Sequence, residues 1–109
     1  MRYLSRNDEI LMLTIHRLQD DAYGVSIRKE VHQRTGKKIT FGALWVSLDN
    51  LAKKGLVTKT LADPTPTRGG RGKIYYHLTP KGVHALQEVR DLQQALWTGL
   101  SPLKLDPSR

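Results

Sequence analysis

The sequence predicts a small, mainly α-helical domain with one small β-hairpin, and three observations support this. Four segments have the apolar spacing of helices, two short segments are rich in β-forming residues, and a Gly/Arg-rich stretch separates these two strand candidates. The predicted order is three helices, a hairpin and a long helix. This is the order of elements in a winged helix-turn-helix with an added C-terminal helix. We therefore divide the chain into a winged helix-turn-helix over 1–79, a long helix over 80–100 and an irregular tail over 101–109.

Length and composition limit the classes of protein to consider. The chain has 109 residues, a formal net charge of +8, a sequence pI of about 10.1 and no cysteine. This length fits one small domain, and the charge predicts attraction to polyanions. The lack of cysteine excludes disulfides, thiolate metal sites and cysteine nucleophiles. Since no apolar run approaches the roughly 20 residues that cross a bilayer, and no signal-peptide core follows the N-terminus, we expect a cytoplasmic protein with no membrane partner.

The first helix is expected from about Ser5 to Gln19. Ser5 and Asp8 have the spacing of a capping box, with the carboxylate near the positive end of the helix. The apolar residues of this helix cover more than one stripe: Ile10, Leu11, Met12, Leu13, Ile15 and Leu18. A helix with such a wide apolar surface is expected to be buried on two sides, one against the domain core and the other against a partner subunit.

The next two helices have clear start and stop signals. A turn over 20–24 precedes the second helix, which is expected to end near Thr35 with Gly36 in the left-handed position. Thr40 is the predicted cap of the third helix, and the Lys-Lys-Gly stretch at 53–55 is its predicted end. One face of this third helix is predicted to be apolar and is made by Phe41, Leu44, Leu48 and Leu51.

Two strand candidates and a long fourth helix complete the chain. The strands are expected over 56–61 and 73–78, with the inward face of the second made by Ile74, Tyr76 and Leu78. Thr79-Pro80 has the pattern of a helix start. A near-heptad apolar seam then follows, comprising Ala85, Val89, Leu92, Leu96 and Leu100, with Leu86, Gln93 and Trp97 beside it. Because the helix would extend about 30 Å, beyond the core of one domain, a second copy of the same helix is expected to cover the seam.

The exposed face of the third helix and the loop between the strands predict nucleic-acid binding. The face carries Gly42, Ala43, Val46, Asn50 and Lys53, and its small N-terminal residues suit close approach to a groove. The loop carries Arg68, Arg71 and Lys73 interleaved with glycines, and the only acidic residue between Lys53 and Lys81 is Asp63. A merely solvated surface usually mixes charge signs. Asp49 lies near the same face and would repel phosphate unless it points to a cytosine amino group or away from the DNA.

Three segments resemble PadR-type transcriptional regulators: AYGVSIRKEV at 22–31, ITFGALWVSLDNLAKKGLV at 39–57 and GRGKIYYHLTPKG at 70–82. The resemblance implies a winged-helix homodimer, joined through its terminal helices, that binds double-stranded operator DNA and represses transcription. Many members of the family release DNA when a small aromatic or drug-like compound binds, so a small aromatic effector is a candidate partner.

The exposed face of the third helix, the basic loop and the family resemblance together indicate which residues contact DNA. Gly42, Ala43, Val46 and Asn50 are expected to face bases, and Thr40, Ser47, Lys53, Arg68, Arg71 and Lys73 to contact the backbone. The resemblance adds Tyr23 as a phosphate contact. It also adds Trp45, which stands where the family usually has tyrosine, next to Val46 where many members have proline. Because the C-terminus is short, we expect no separate dimerisation domain. The predicted dimer interface therefore uses the first and fourth helices: Leu11, Ile15, Val89, Leu92, Leu96, Trp97 and Leu100.

Other chemistries have weaker support in the sequence. The four histidines share no metal-ligand spacing, and no nucleophile–base pattern is present, so we expect no metal, no cofactor and no enzyme activity. Trp97 has two interpretations, a packing anchor at an interface or a platform for an aromatic ligand. Two functional alternatives also stay open: a winged helix that binds another protein, and non-specific coating of nucleic acid.

Overall fold

Four helices and one antiparallel hairpin form the chain in a computed structural model that describes residues 3–62 and 73–103. This confirms the predicted mainly α fold class with a small β-hairpin. The elements, with a 3₁₀ turn at Gln19–Asp21 after the first helix, are α1 Arg6–Leu18, α2 Gly24–Thr35, α3 Phe41–Lys53, β1 Val57–Leu61, β2 Ile74–Leu78 and α4 Pro80–Trp97.

Side-chain caps fix the start of three helices at the predicted residues. The hydroxyl of Ser5 accepts from the Asp8 N–H at 3.1 Å, that of Thr40 from the Ala43 N–H at 3.1 Å, and that of Thr79 from the Gly82 N–H at 3.0 Å. The predicted capping box at Ser5 is only half formed. The Asp8 carboxylate instead accepts from the Lys54 ammonium at 3.2 Å, which ties the start of α1 to the end of α3.

The core lies where α1, α2, α3 and the hairpin meet. Its largest fully buried side chains are Leu11, Met12, Ile15, Ile27, Val31, Leu44, Leu48, Leu51 and Tyr76. In β2 the side chains of Ile74 and Leu78 pack against this core on either side of Tyr76, as the alternation predicted. Burial raises the pKa of the Tyr76 phenol above its usual range.

The core overturns part of the predicted dimer interface. Leu11 and Ile15 are each 1 % exposed and belong to the core of a single chain, so they are not available to a partner subunit. The residue that α1 turns outward is Leu13, which is 48 % exposed. Burial of a second side of α1 against a partner subunit stays a prediction, but Leu11 and Ile15 are not the residues that could form it.

The start of α3 also differs from the prediction. Phe41 is 41 % exposed and does not continue the buried stripe of Leu44, Leu48 and Leu51. Its ring lies 4.6 Å from the Arg28 guanidinium, measured from ring centroid to Cζ. The Nε–H of Arg28 also donates to the Ile39 carbonyl at 2.6 Å, so this arginine fixes the connection between α2 and α3.

The hairpin is attached to the helices through its backbone. β1 and β2 pair antiparallel with Val57 opposite Leu78 and Leu61 opposite Ile74. The Tyr76 N–H donates to the Ala22 carbonyl at 2.8 Å, which joins β2 to the turn before α2. On the other side α4 packs close against the start of β1: a Cβ at Gly82 would lie 2.2 Å from the Leu56 carbonyl oxygen, so only glycine fits there.

Helix α4 ends three residues before the predicted Leu100, because Thr98 leaves the helix and Gly99 takes a left-handed φ of 82°. Along its seam, Val89 is buried, Leu92 is half-buried, and Leu96 is 61 % exposed. Trp97 and Leu100 are exposed as well. The last turns of α4 therefore carry apolar surface that the other described residues leave uncovered. Among the described residues, no helix is long and apolar enough to cross a membrane.

Candidate nucleic-acid interface

Helix α3 presents a small, mostly uncharged face to solvent. Gly42, Ala43, Val46 and Asn50 are all exposed, as is Lys53 one turn further on. At 3.6 residues per turn, Gly42, Val46 and Lys53 lie within an arc of about 40°, opposite the buried Leu44 and Leu48. The five residues predicted to form this face do so in the structure.

Glycine at position 42 has no packing role in the part of the chain that the structure describes. A Cβ placed there meets no heavy atom of residues 3–62 and 73–103 within 4 Å, and the residue lies in the first turn of α3 with ordinary helical φ. Glycine destabilises a helix relative to alanine, so its presence needs an explanation outside the protein core. Close approach of another molecule to the α3 backbone is such an explanation.

The negative charge of Asp49 is neutralised within the domain. Its carboxylate forms an ion pair with the Lys59 ammonium on β1. The hydrogen bond from Lys59 lowers the pKa of Asp49, and the same bond raises the pKa of Lys59. The carboxylate therefore does not stand alone on the α3 face, and its pairing with Lys59 reduces the repulsion of phosphate that the sequence suggested.

An aromatic cluster joins the base of the hairpin to the start of α2. The Tyr23 and Tyr75 rings meet edge to face with centroids 5.6 Å apart. The Lys73 ammonium lies 4.3 Å from the centroid of the Tyr23 ring. Tyr23 itself is held at the N-cap of α2, where its N–H donates to the Ser26 hydroxyl at 2.9 Å. Tyr23 and Lys73, which lie far apart in the sequence, are thus in contact in the fold.

Trp45 connects α3 to the same region. It is exposed, and its six-membered ring covers Gly24, where a Cβ would lie 3.1 Å from Cη2 of the indole. A side chain larger than glycine at position 24 would displace the indole. Trp45 therefore sets how the N-terminal ends of α2 and α3 sit against each other.

The sequence matches the family described as transcriptional regulator PadR-like over residues 11–88. The chain belongs to the PadR-like family of transcriptional regulators. This confirms the resemblance seen in the sequence, and membership in a family of regulators fits the expectation that the chain is not an enzyme. No curated protein matches the chain with significance.

Solved structures show the same winged-helix fold. A PadR family transcription regulator from hypervirulent Clostridium difficile is 25 % identical, with a TM-score of 0.63 over 82 % of this chain and 88 % of its own. RosR of H. salinarum is 23 % identical, with a TM-score of 0.72 over 92 % and 83 % of the two chains. A winged-helix DNA-binding protein from STIV is 20 % identical, with a TM-score of 0.69 over 92 % and 100 %. The predicted winged-helix class is confirmed.

Two residues that were predicted to contact the DNA backbone already make hydrogen bonds within this PadR-like chain. The Thr40 hydroxyl accepts from the Ala43 N–H as a helix cap, which leaves its hydrogen free to donate. Ser47 is half-buried, and its hydroxyl accepts from Nδ2 of Asn7 at 3.4 Å, so it lies at the edge of the face toward α1. Arg68 and Arg71 lie outside the described residues.

Several residues of the PadR-like site were not predicted from the sequence. Arg28 packs on the Phe41 ring at the start of α3. Lys59 forms an ion pair with Asp49, and the Tyr75 ring packs against the Tyr23 ring. Only Tyr75 left a usable signal: because Tyr76 points inward, strand alternation turns its neighbour outward toward the functional face. The contacts of Arg28 and Lys59 join different elements, and no local pattern indicates them.

A second surface of the PadR-like domain lies between α1 and α4. A largely apolar groove of about 460 Å³ is lined by residues that include Leu13, Val83 and Leu86. Leu13 and Val83 are exposed on its rim. Trp97 is exposed further along α4. Among the described residues, no group of three or more His, Asp or Glu side chains is placed to hold a metal ion.

Proposed function

We propose that the chain is a repressor that binds operator DNA as a homodimer. In this proposal residues 1–79 form the DNA-binding unit, with α3 in the major groove and the hairpin, which we call the wing, on the flanking backbone. The observation that supports it most directly is the exposed α3 face, which is small where it would meet bases and has Lys53 at its far end. Family membership supports the regulatory role.

The Tyr23–Lys73–Tyr75 cluster supports the assignment of the wing to the backbone. The Tyr23 phenol and the Lys73 ammonium lie beside the N-terminus of α2. Backbone N–H groups and the helix dipole favour phosphate at such a position. The cluster brings the three donors together before DNA arrives. Tyr23 and Lys73 are therefore proposed to bind one phosphate region together.

The homodimer is proposed to form through the outer surfaces of α1 and α4. Leu92 is half-buried, whereas Leu96, Trp97 and Leu100 are exposed on one chain. Leu13 and Val83 add apolar surface in the neighbouring groove. A two-fold dimer would present two α3 helices to half-sites about one helical turn of DNA apart, roughly 34–36 Å.

Release of DNA by a small aromatic compound is the third part of the proposal. The exposed indole of Trp97, in the uncovered part of α4, offers a flat apolar surface that could stack on an aromatic ring. Fluorescence can test this in the Trp45→Phe variant, where Trp97 is the only tryptophan. Quenching in this variant by an aromatic compound that also lowers the DNA affinity of the wild-type chain supports the effector role, and unchanged emission across a panel of aromatic dyes argues for packing alone.

Binding to the DNA upstream of the chain's own gene tests the central claim. Fluorescence anisotropy at moderate salt should show tighter binding to that DNA than to random DNA of equal length. Equal affinity for both would favour non-specific coating. The other alternative, a protein-binding winged helix, gains some support from the exposed apolar Phe41, Trp45 and Val46. A protein-binding winged helix should show no salt-sensitive affinity for DNA.

A further inference from the structure

The groove-facing part of α3 has little hydrogen-bonding chemistry. Every residue of α3 is described, and on the arc opposite the core Gly42, Ala43 and Val46 have no polar side-chain atoms. Val46 is at the centre of this arc and is 62 % exposed. A β-branched residue is a weak helix former, so an exposed valine at this position stabilises neither the helix nor the core.

The major groove offers one apolar group that such a surface can recognise. Guanine is usually read by Arg or Lys, adenine by Asn or Gln and cytosine by Asp or Glu, whereas thymine presents a 5-methyl group. The first lysine on this arc is Lys53, about two turns beyond Val46. Asp49, the one acidic residue of α3, is paired with Lys59. Recognition at the centre of the face is therefore left to apolar contact.

We propose, on the basis of the DNA-binding function above, that Val46 is a specificity-determining residue that recognises thymine through its 5-methyl group. The charges around it favour DNA over a protein partner. Lys37 and Lys38 are exposed before the N-terminus of α3, and Lys53 is exposed at its C-terminal end. An apolar centre with cations at both ends matches a groove floor between two phosphate backbones.

Gly42 makes the contact geometrically feasible. The valine side chain is short, so its methyl groups reach a base edge only if the α3 backbone comes close to the groove. Gly42 lies one turn before Val46 on the same arc, and no other described residue occupies the space where its Cβ would be. Trp45, packed on Gly24, fixes the end of α3 that must enter the groove.

Replacement of thymine by deoxyuridine tests the proposal, because it removes the 5-methyl group and keeps the base pair. The preferred operator is first selected from randomised DNA with the wild-type chain, and each thymine is then replaced in turn. One position in each half-site should lose affinity by about fourfold, the value of one buried methyl group. The Val46→Ala variant should bind the thymine and deoxyuridine forms of that position equally.

A matched control is Val25→Ala, since Val25 is a similarly exposed valine on α2. The Val25→Ala variant should lose as much affinity as the wild type when thymine is replaced by deoxyuridine, because only Val46 is proposed to contact the thymine methyl group. Specific binding that is insensitive to deoxyuridine at every thymine would overturn the proposal and leave the proposed function intact. So would a Val46→Ala variant with wild-type sensitivity. If the wild-type chain shows no preference among the randomised DNA sequences, the proposed function itself is overturned.

Discussion

Replacement of Gly42 by alanine should raise stability and lower DNA affinity at once. No heavy atom of the described residues lies within 4 Å of the new Cβ, so they accommodate it without strain. Alanine also restricts the unfolded chain and is the better helix former. Because Gly42 lies in the first turn, we take the lower part of the usual range, about 0.5 kcal/mol of added stability.

The same methyl group should hinder DNA binding. If the α3 backbone at Gly42 lies against the groove, the added methyl moves the helix outward. A gap of 0.5–1 Å forfeits about a quarter to a half of each van der Waals contact, and the short side chain of Val46 then no longer reaches its base. We expect the specific affinity to fall at least about tenfold, or 1.4 kcal/mol, with a smaller loss on random DNA.

Thermal unfolding and fluorescence anisotropy on the same samples check both effects. For a domain of this size, about 0.5 kcal/mol corresponds to a rise in Tm of about 2–4 °C. Gly36→Ala is the control: Gly36 has a left-handed φ of 74° in the loop after α2, so alanine there should lower the Tm and leave specific DNA affinity unchanged. If Gly42→Ala is stabilised and binds its operator with wild-type affinity, α3 does not approach DNA through this face.

Three further results are expected. Asn50→Ala should cost about 1–3 kcal/mol on the preferred operator and relax preference at one base pair, since the amide can pair with an adenine edge; an identical preference profile in selection on randomised DNA would contradict base reading. Lys73→Ala and Arg71→Ala should each reduce the slope of log affinity against log salt by roughly 0.9, and unchanged slopes would place the wing off the DNA. Leu96→Glu with Leu92→Glu should give monomers in sedimentation, and Leu96→Glu alone should keep the fold because Leu96 is exposed on one chain; a wild-type monomer at micromolar concentration would contradict the dimer.

Local sequence signals predicted the elements and their caps correctly. Ser5, Thr40 and Thr79 start their helices and Gly36 ends α2 as expected, because a cap depends on neighbours three or four residues away. The end of α4 was predicted too far along, since the apolar repeat continues to Leu100 although the backbone has already turned. Apolar spacing alone does not show where a helix stops.

Errors arose where burial depends on several elements at once. Leu11 and Ile15 were assigned to a dimer interface because α1 has more apolar surface than one contact needs. In the structure α1 packs against α2, α3, α4 and the hairpin, which together bury both residues. Spacing placed Phe41 on the buried face of α3, yet it is exposed and lies against the Arg28 guanidinium. Such outcomes depend on the angles between elements, which apolar periodicity does not specify.

The internal partners of the basic residues decide which charges are available to DNA. An ion pair neutralises its lysine, so Lys59 beside Asp49 and Lys54 beside Asp8 add little to the field at the surface. A cation–π contact holds a charge in place without cancelling it. No carboxylate within residues 3–62 and 73–103 pairs with Lys73, and its contact with Tyr23 positions the ammonium at the base of the wing. The formal charge of +8 does not distinguish these cases, but the geometry does: the attraction of this domain for phosphate should depend on Lys73 and Lys53 far more than on Lys59 and Lys54.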